Sequence, residues 1–307
     1  MIDWRERRVL VFAHQGGSFE GPSSTLAAID HALAQGADVI ELDVHATRDG
    51  HLVVCHDATV ERTTNHRGAI AALTLEEIVQ MDNAYWWSPG VSASRDLAGD
   101  QYVHRGRAPG DRRYGVATLE EVVRTFPGAL LNLDIKQTAP AVTPYESLLA
   151  DALARWDARE SVVVASFHDD AIRAFRVAAP GVATAAATGE TAAFFFAVRD
   201  GHRPEHVSAV ALQVPMTYGD EEIVTPALVA AAHGAGLAVH AWTLNEVDVM
   251  ARALDAGVDG IISDTPTTAV ALVRERGLAW RRPSSSSRAT QGRRRGGVES
   301  WITPDSK

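Results

Sequence analysis

The 307-residue sequence predicts an α/β protein, a (β/α)8 barrel with a small insertion after the second strand. Three observations point there. Short runs rich in β-branched and apolar residues alternate with helix-length stretches, the pattern of a parallel sheet. Eight such β/α units can be counted along the chain. Polar and titratable residues close several of the runs, and in such a barrel the strand C-termini are where working groups gather.

The first run is Val9–Ala13, ending at His14. A glycine-containing loop, Gln15 to Pro22, leads to Ser23, Ser24 or Thr25 as the N-cap of an alanine-rich helix that stops before Gly36. Val39–Val44 is the second strand. Leu52–Cys55 follows it across Asp49-Gly50, a strong hairpin signal, and is extra to the eight units. From about residue 58 to 116 long periodicity fails, and one short helix is expected, capped at Thr74 in Thr74-Leu75-Glu76-Glu77. This segment reads as an insertion, and long irregular segments inside compact domains are usually functional or disordered.

The alternation resumes with a helix opening at Thr118-Leu119-Glu120-Glu121. Further strands are expected at Leu130–Ile135, Val162–Ser166, Ala183–Ala187, Ala209–Val214, Leu237–Trp242 and Gly260–Ser263. Helices are expected at Tyr145–Trp156, Asp169–Val177, Glu190–Val198, Pro226–Ala232, Val247–Ala256 and Thr267–Arg276. One domain over residues 1–278 would result. Residues 279–307, with four serines in a row and no apolar periodicity, are expected to form a disordered basic tail.

Net charge is −10 but unevenly placed: the segment from Trp280 carries +5 and the body −15. An acidic body argues against a general nucleic-acid surface. Cys55 is the only cysteine, so no intrachain disulfide forms, and its strand position favours a buried, inert thiol. No apolar run approaches the roughly 18–20 residues that span a bilayer, which argues against membrane insertion and leaves peripheral lipid contact through the tail open. Val9–Ala13 is too short for a signal-peptide core, so a cytoplasmic protein is expected.

The chemistry concentrates between Val39 and Asp57. Glu41 and Asp43 stand two positions apart on one strand, and period-2 alternation turns both carboxylates to one face. Two adjacent negative charges cost stability unless a cation lies between them. A divalent metal answers that need, and so does a lysine or arginine in an ion-pair network. The other strand ends gather His14, Asp134 with Lys136, Ser166, Trp242 and Asp264, while His56 closes the extra strand. Hydrolysing a phosphodiester uses this combination. A carboxylate-held cation and a lysine neutralise phosphate charge. Two imidazoles divide deprotonation of the nucleophile and protonation of the leaving oxygen.

The sequence resembles the glycerophosphodiester phosphodiesterase family. The likeness rests on an ordered set: His14-Gln15-Gly16, Pro22-Ser23-Ser24-Thr25, Gly36 to Val44, Thr47-Arg48-Asp49-Gly50, His56-Asp57, Arg62-Thr63-Thr64, Thr118 to Glu121, Ser166-Phe167, His240 to Asn245, and Gly257 to Pro266. It runs from about residue 9 to 275. It implies a TIM-type barrel, Mg²⁺ or Ca²⁺ held by Glu41, Asp43 and Asp134, and His14 and His56 as the acid/base pair. It further implies a small phosphodiester substrate, with Lys136 on the phosphate and Trp242 on the pocket wall. Asp134 stands where the family usually has glutamate, a form similar to that of sphingomyelinase D-like lipases. Gln15 replaces the family's phosphate-contacting arginine and offers only a neutral donor. Ser23 and Ser24 replace Glu-Asn, and Glu20 is a candidate for the lost acidic role. The alternatives within this reading are a lysophospholipase D-like activity and a catalytically weak phosphodiester-binding barrel.

Other residues carry blander expectations. His45 is read as structural, facing the helix layer, and His168 and His240 as structural or pocket-lining. Tyr85, Trp86 and Trp87 form either a lid or a satellite core. Arg105, Arg107, Arg112 and Arg113 either reach phosphate or lie in a solvated loop.

Overall fold

In this computed structural model, which describes Trp4 and residues 9–279, eight parallel strands wrap into a barrel. They are β1 (Leu10–Ala13), β2 (Val39–Ala46), β3 (Leu130–Ile135), β4 (Val162–Ala165), β5 (Ala183–Thr184), β6 (Ala211–Pro215), β7 (Ala238–Trp242) and β8 (Gly260–Ser263). The spatial order is β5-β4-β3-β2-β1-β8-β7-β6. A bridge between Ala185 and Ala211 closes β5 onto β6. The strand Leu52–Val54 pairs antiparallel with the end of β2, as the Asp49-Gly50 turn predicts.

Alternation sorts the strand residues into two layers. Ile40, Leu42 and Val44 of β2 join Leu131, Leu133 and Ile135 of β3 in a core shared with the surrounding helices. The alternate residues face the barrel axis. Register pairs Val39 with Leu130, Glu41 with Asn132 and Asp43 with Asp134. The interior therefore passes from apolar, where Phe12, Val39, Leu130, Val163 and Ile262 pack together, to acidic at the C-terminal mouth.

Helices start where the caps dictate. Thr25 accepts a hydrogen bond from Ala28 N and opens α1 (Leu26–Gln35). Capping boxes at Thr74/Glu77 and Thr118/Glu121 open the short α2 (Leu75–Ile78) and α3 (Leu119–Thr125). The remaining helices are α4 (Glu146–Arg155), α5 (Asp169–Ala178), α6 (Thr188–Arg199), α7 (Pro226–Gly234), α8 (Val247–Ala256) and α9 (Pro266–Glu275). None of the described helices is long and apolar enough to cross a membrane.

The structure departs from expectation at three places. The run Ala183–Ala187 pairs as a strand only over two residues, because Ala187 N already donates to the Glu190 carboxylate at the start of α6. A hairpin of Thr217–Tyr218 with Glu221–Glu222 follows β6, turning at Gly219-Asp220, a turn signal inside a short polar stretch. The insertion has its own cores: Val53, Cys55, Val60, Ile70, Ile78, Met81 and Val116 in one, Ala84, Ala108 and Tyr114 in the other. The expected basic tail lies outside the described residues, apart from Ala279, which bridges to Val9.

Candidate active site

His14 leaves β1 and enters a tight turn in which Gln15, Gly16 and Gly17 all have positive φ. Glycine is required at position 17, where a Cβ would meet Pro266 Cγ at 2.8 Å. The turn aims the imidazole into the mouth. Its Nδ1 lies 2.7 Å from Asp264 Oδ1, at the end of β8. Ser18 donates to the same oxygen at 2.7 Å, and Asn245 Nδ2 to Asp264 Oδ2 at 2.8 Å. His56 is built alike from another part of the chain. Its Nδ1 lies 2.7 Å from Asp57 Oδ1, and Arg62 Nε donates to Asp57 Oδ2 at 2.8 Å. A carboxylate only accepts, so each Nδ1 carries hydrogen and Nε2 is the nitrogen left to exchange a proton, that of His14 lying 3.3 Å from Gln15 Nε2. The two rings are 6.3 Å apart, nearly perpendicular.

Beneath the histidines lie the carboxylates. Gln15 N donates to Glu41 Oε2 at 2.9 Å, and His14 Nε2 stands 4.0 Å from the same oxygen. Lys136 Nζ lies 3.2 Å from Asp43 Oδ1 and 3.5 Å from Asp134 Oδ2. Burial and the charge of Asp43 push Glu41 up to about 8 and Asp134 to about 6. For Lys136, burial opposes the charged form, but Asp43 and Asp134 outweigh it and raise its pKa. His14 rises to about 9: burial disfavours protonation, and the Asp264 hydrogen bond together with the Glu41 charge overcomes it. Asp57 is held well below the usual carboxylate range, since the bonds from His56 and Arg62 prevail over burial.

The donor set has the oxygen chemistry of a hard-cation site. Two buried carboxylates share one lysine, and Asp43 Oδ2 and Asp134 Oδ1 are buried without a hydrogen-bond partner. Among the described residues no trio of His, Cys, Asp or Glu side chains stands at ligating spacing. Lys136 bridges Asp43 and Asp134, which gives Asp43 the lysine partner of the ion-pair reading, while Glu41 accepts from Gln15 N instead.

All eight residues singled out in the sequence belong to this mouth. Trp242 packs edge-to-face on the exposed Phe167 at 5.6 Å, whose ring centre is 5.9 Å from Lys136 Nζ. Other expectations need correcting. His45 shares the parity of Glu41 and Asp43, so it faces the barrel mouth and not the helix layer. Burial lowers its pKa, and its electrostatic neighbours are His56, Asp43, Gln137 and Lys136. Glu20 does not supply the missing acid, because it accepts from Thr267 N and Oγ1 at the start of α9. Of the insertion arginines, Arg107 and Arg113 are exposed, as a solvated loop predicts, while Arg105 and Arg112 are half-buried, and each has a partner within the insertion or on α3. Arg105 lies 3.7 Å over Tyr102 and bonds the Tyr85 carbonyl, Arg112 pairs with Glu121, Arg113 with Asp111, and Arg107 bonds Tyr114 Oη. The aromatic run is a satellite core: Trp86 donates to Thr64 O, and Trp87 to Ser18 O.

A model of the glycerophosphoryl diester phosphodiesterase family matches residues 14–268, most of the chain. The chain belongs to this family. A glycerophosphodiester phosphodiesterase of Caldanaerobacter subterraneus is 33% identical over 274 residues, covering 88% of this chain and all of that one. Two solved structures share the fold. The glycerophosphoryl diester phosphodiesterase domain of a Mycobacterium tuberculosis protein has a TM-score of 0.71 at 20% identity, over 87% of this chain and 99% of that one. An Oleispira antarctica phosphodiesterase, in complex with the product sn-glycerol-3-phosphate, has a TM-score of 0.65 at 22% identity, over 88% and 99%.

Sequence reasoning missed the roles of Asp57, Arg62, Ser18, Asn245 and Asp264 as supports of this glycerophosphoryl diester phosphodiesterase site. Adjacency in His56-Asp57 was a usable signal. For Asp264 there was only its place at a strand end, since its bond to His14 spans 250 residues.

Proposed function

We propose that the protein hydrolyses glycerophosphodiesters to glycerol phosphate and an alcohol, with His14 and His56 as general acid and base. The observation that carries this reading is the pair of carboxylate-bound histidines facing each other across 6.3 Å above a lysine-and-carboxylate floor. In-line displacement at phosphorus puts the attacking and leaving oxygens on opposite sides. Two imidazoles flanking one space suit that demand. One Nε2 takes the proton of the attacking hydroxyl as its oxygen bonds to phosphorus. The other Nε2 gives a proton to the alkoxide as the second P–O bond breaks. Lys136 and the Gln15 amide donate to the non-bridging oxygens.

Glu41, Asp43 and Asp134 would hold a divalent cation, Mg²⁺ or Ca²⁺. When bound it supplies Lewis-acid neutralisation of phosphate charge. The product seen with the Oleispira relative supports glycerol phosphate as one half of the substrate here. The exposed Phe167 beside Trp242 offers an apolar wall to a glycerol backbone or a headgroup.

The test is release of sn-glycerol 3-phosphate from glycerophosphocholine and glycerophosphoethanolamine, with EDTA and then Mg²⁺ or Ca²⁺ restored. Turnover abolished by EDTA and restored by a cation is the expected outcome. Turnover that EDTA leaves untouched would remove the cation from the account. No turnover with any cation, on folded protein, would overturn the activity and turn attention to lysophospholipids.

A further inference from the structure

The two positions at which this chain departs most from its family pattern meet each other. Gln15 stands in place of arginine and Ser23 in place of glutamate, and Ser23 Oγ donates to Gln15 Oε1 at 2.6 Å. With its oxygen engaged, the Gln15 carboxamide turns Nε2 toward the reaction centre, 3.3 Å from His14 Nε2. The backbone beneath is held as tightly. Gln15 adopts φ 52, ψ 31, a left-handed conformation uncommon for a side-chain-bearing residue. Its N–H is tied to Glu41, and its carbonyl accepts from Ser24 N at 2.7 Å. Ser23 is fixed from the insertion: Asn83 Nδ2 donates to Ser23 O at 2.9 Å, and Thr63 Oγ1 donates to Asn83 Oδ1 at 2.5 Å. Gln15, Ser23, Asn83 and Thr63 are each no more than 5% exposed.

We propose that Ser23 is a positioning residue for the hydrolysis, holding the Gln15 carboxamide with its Nε2 toward the phosphate, with Asn83 and Thr63 as its supports. The two ends of a carboxamide have nearly the same shape and opposite hydrogen-bonding character. Ser23 Oγ on Oε1 and His14 Nε2, whose other nitrogen carries the hydrogen, on Gln15 Nε2 together decide between them. The Thr63 hydroxyl fixes the Asn83 amide, which fixes the Ser23 backbone, whose hydroxyl fixes the Gln15 amide. The donor end of the carboxamide, and not its oxygen, then faces an anionic substrate. Without the Ser23 hydroxyl the amide is free to turn its carbonyl oxygen to the anion, which repels it. Gln15 with Ser23 is a satisfied neutral pair. The inference rests on the phosphodiesterase reading.

A double-mutant cycle tests it, using Ser23→Ala, Gln15→Ala and the combination, with Ser23→Thr as the conservative variant. The readouts are kcat and KM on glycerophosphocholine and the calorimetric affinity for sn-glycerol 3-phosphate. Ser23→Ala is expected to lower kcat/KM about tenfold and Ser23→Thr to keep most of it. In the Gln15→Ala background, Ser23→Ala should have almost no further effect. An unchanged Ser23→Ala enzyme, or the same loss in both backgrounds, overturns the proposal. If the unmodified protein releases no glycerol phosphate, the phosphodiesterase reading falls, and the same cycle on affinity still decides for or against Ser23. Should Ser23→Ala fail to fold, Ser23→Cys, of similar size and a weak donor, reads the same coupling with the same two outcomes.

Discussion

His14 and His56 make the same hydrogen bond to a carboxylate and reach it from opposite kinds of structure. His14 and Asp264 end neighbouring strands of the barrel, and neutral groups, Ser18 and Asn245, satisfy the rest of the Asp264 carboxylate. His56 and Asp57 follow the extra strand at the start of the insertion, and a cation, Arg62, takes up the second Asp57 oxygen. One dyad rests on eight paired strands. The other rests on a small separate core. The difference teaches that this fold obtains its second histidine by addition: the barrel supplies one half of the acid/base pair, and the insertion completes it.

The largest effect should come from breaking either half. His14→Ala and His56→Ala are each expected to lower kcat by roughly 10²–10⁴-fold. Circular dichroism should show an unchanged fold, and an active enzyme in either case would remove that residue from the chemistry. A second experiment sharpens the contrast between supports. Asp264→Asn should cost roughly a hundredfold and Asp57→Asn closer to tenfold. Among the described residues the charge of Asp264 has no cation but His14 to balance it, whereas Asp57 shares its charge with Arg62. Equal losses in kcat would show that the supports are interchangeable.

Stability should divide along the same line. Ile78, fully buried in the insertion core, is expected to cost about 2–5 kcal/mol on truncation to alanine. That loss should raise hydrogen exchange across residues 58–116 more than in β1 to β4. Uniform exchange would mean that barrel and insertion open together.

The smallest effect concerns His240, which the mechanism leaves unused. Burial lowers its pKa from 6.5 to about 3. Between those values the unfolded chain binds a proton that the folded one does not, so this group's contribution to stability falls as pH drops from 6.5 toward 3. His240→Gln should flatten the loss of thermal stability over that window, and an unchanged slope would place the acid sensitivity elsewhere.

The barrel was legible because its strands are short and apolar with titratable ends. Glu41 and Asp43 were legible because a period of two is arithmetic. Other parts of the site depend on distances the sequence does not carry. Asp264 reaches His14 across nearly the whole chain, and Glu20 is drawn from the site by the backbone of Thr267. His45 was within reach, since the same parity that pairs Glu41 with Asp43 includes it. Arg105 read as part of a charged loop because its stacking on Tyr85, Trp86 and Tyr102 is tertiary, not periodic.

The division of labour between the two histidines has one direct test. A glycerol phosphodiester with a p-nitrophenol leaving group needs no proton to depart, while a choline ester does. Comparing kcat of His14→Ala and His56→Ala on the two substrates separates acid from base. The account predicts that one variant, and not the other, recovers most of its activity on the nitrophenyl ester. Recovery by both variants, or by neither, would contradict an acid and a base facing each other across the mouth.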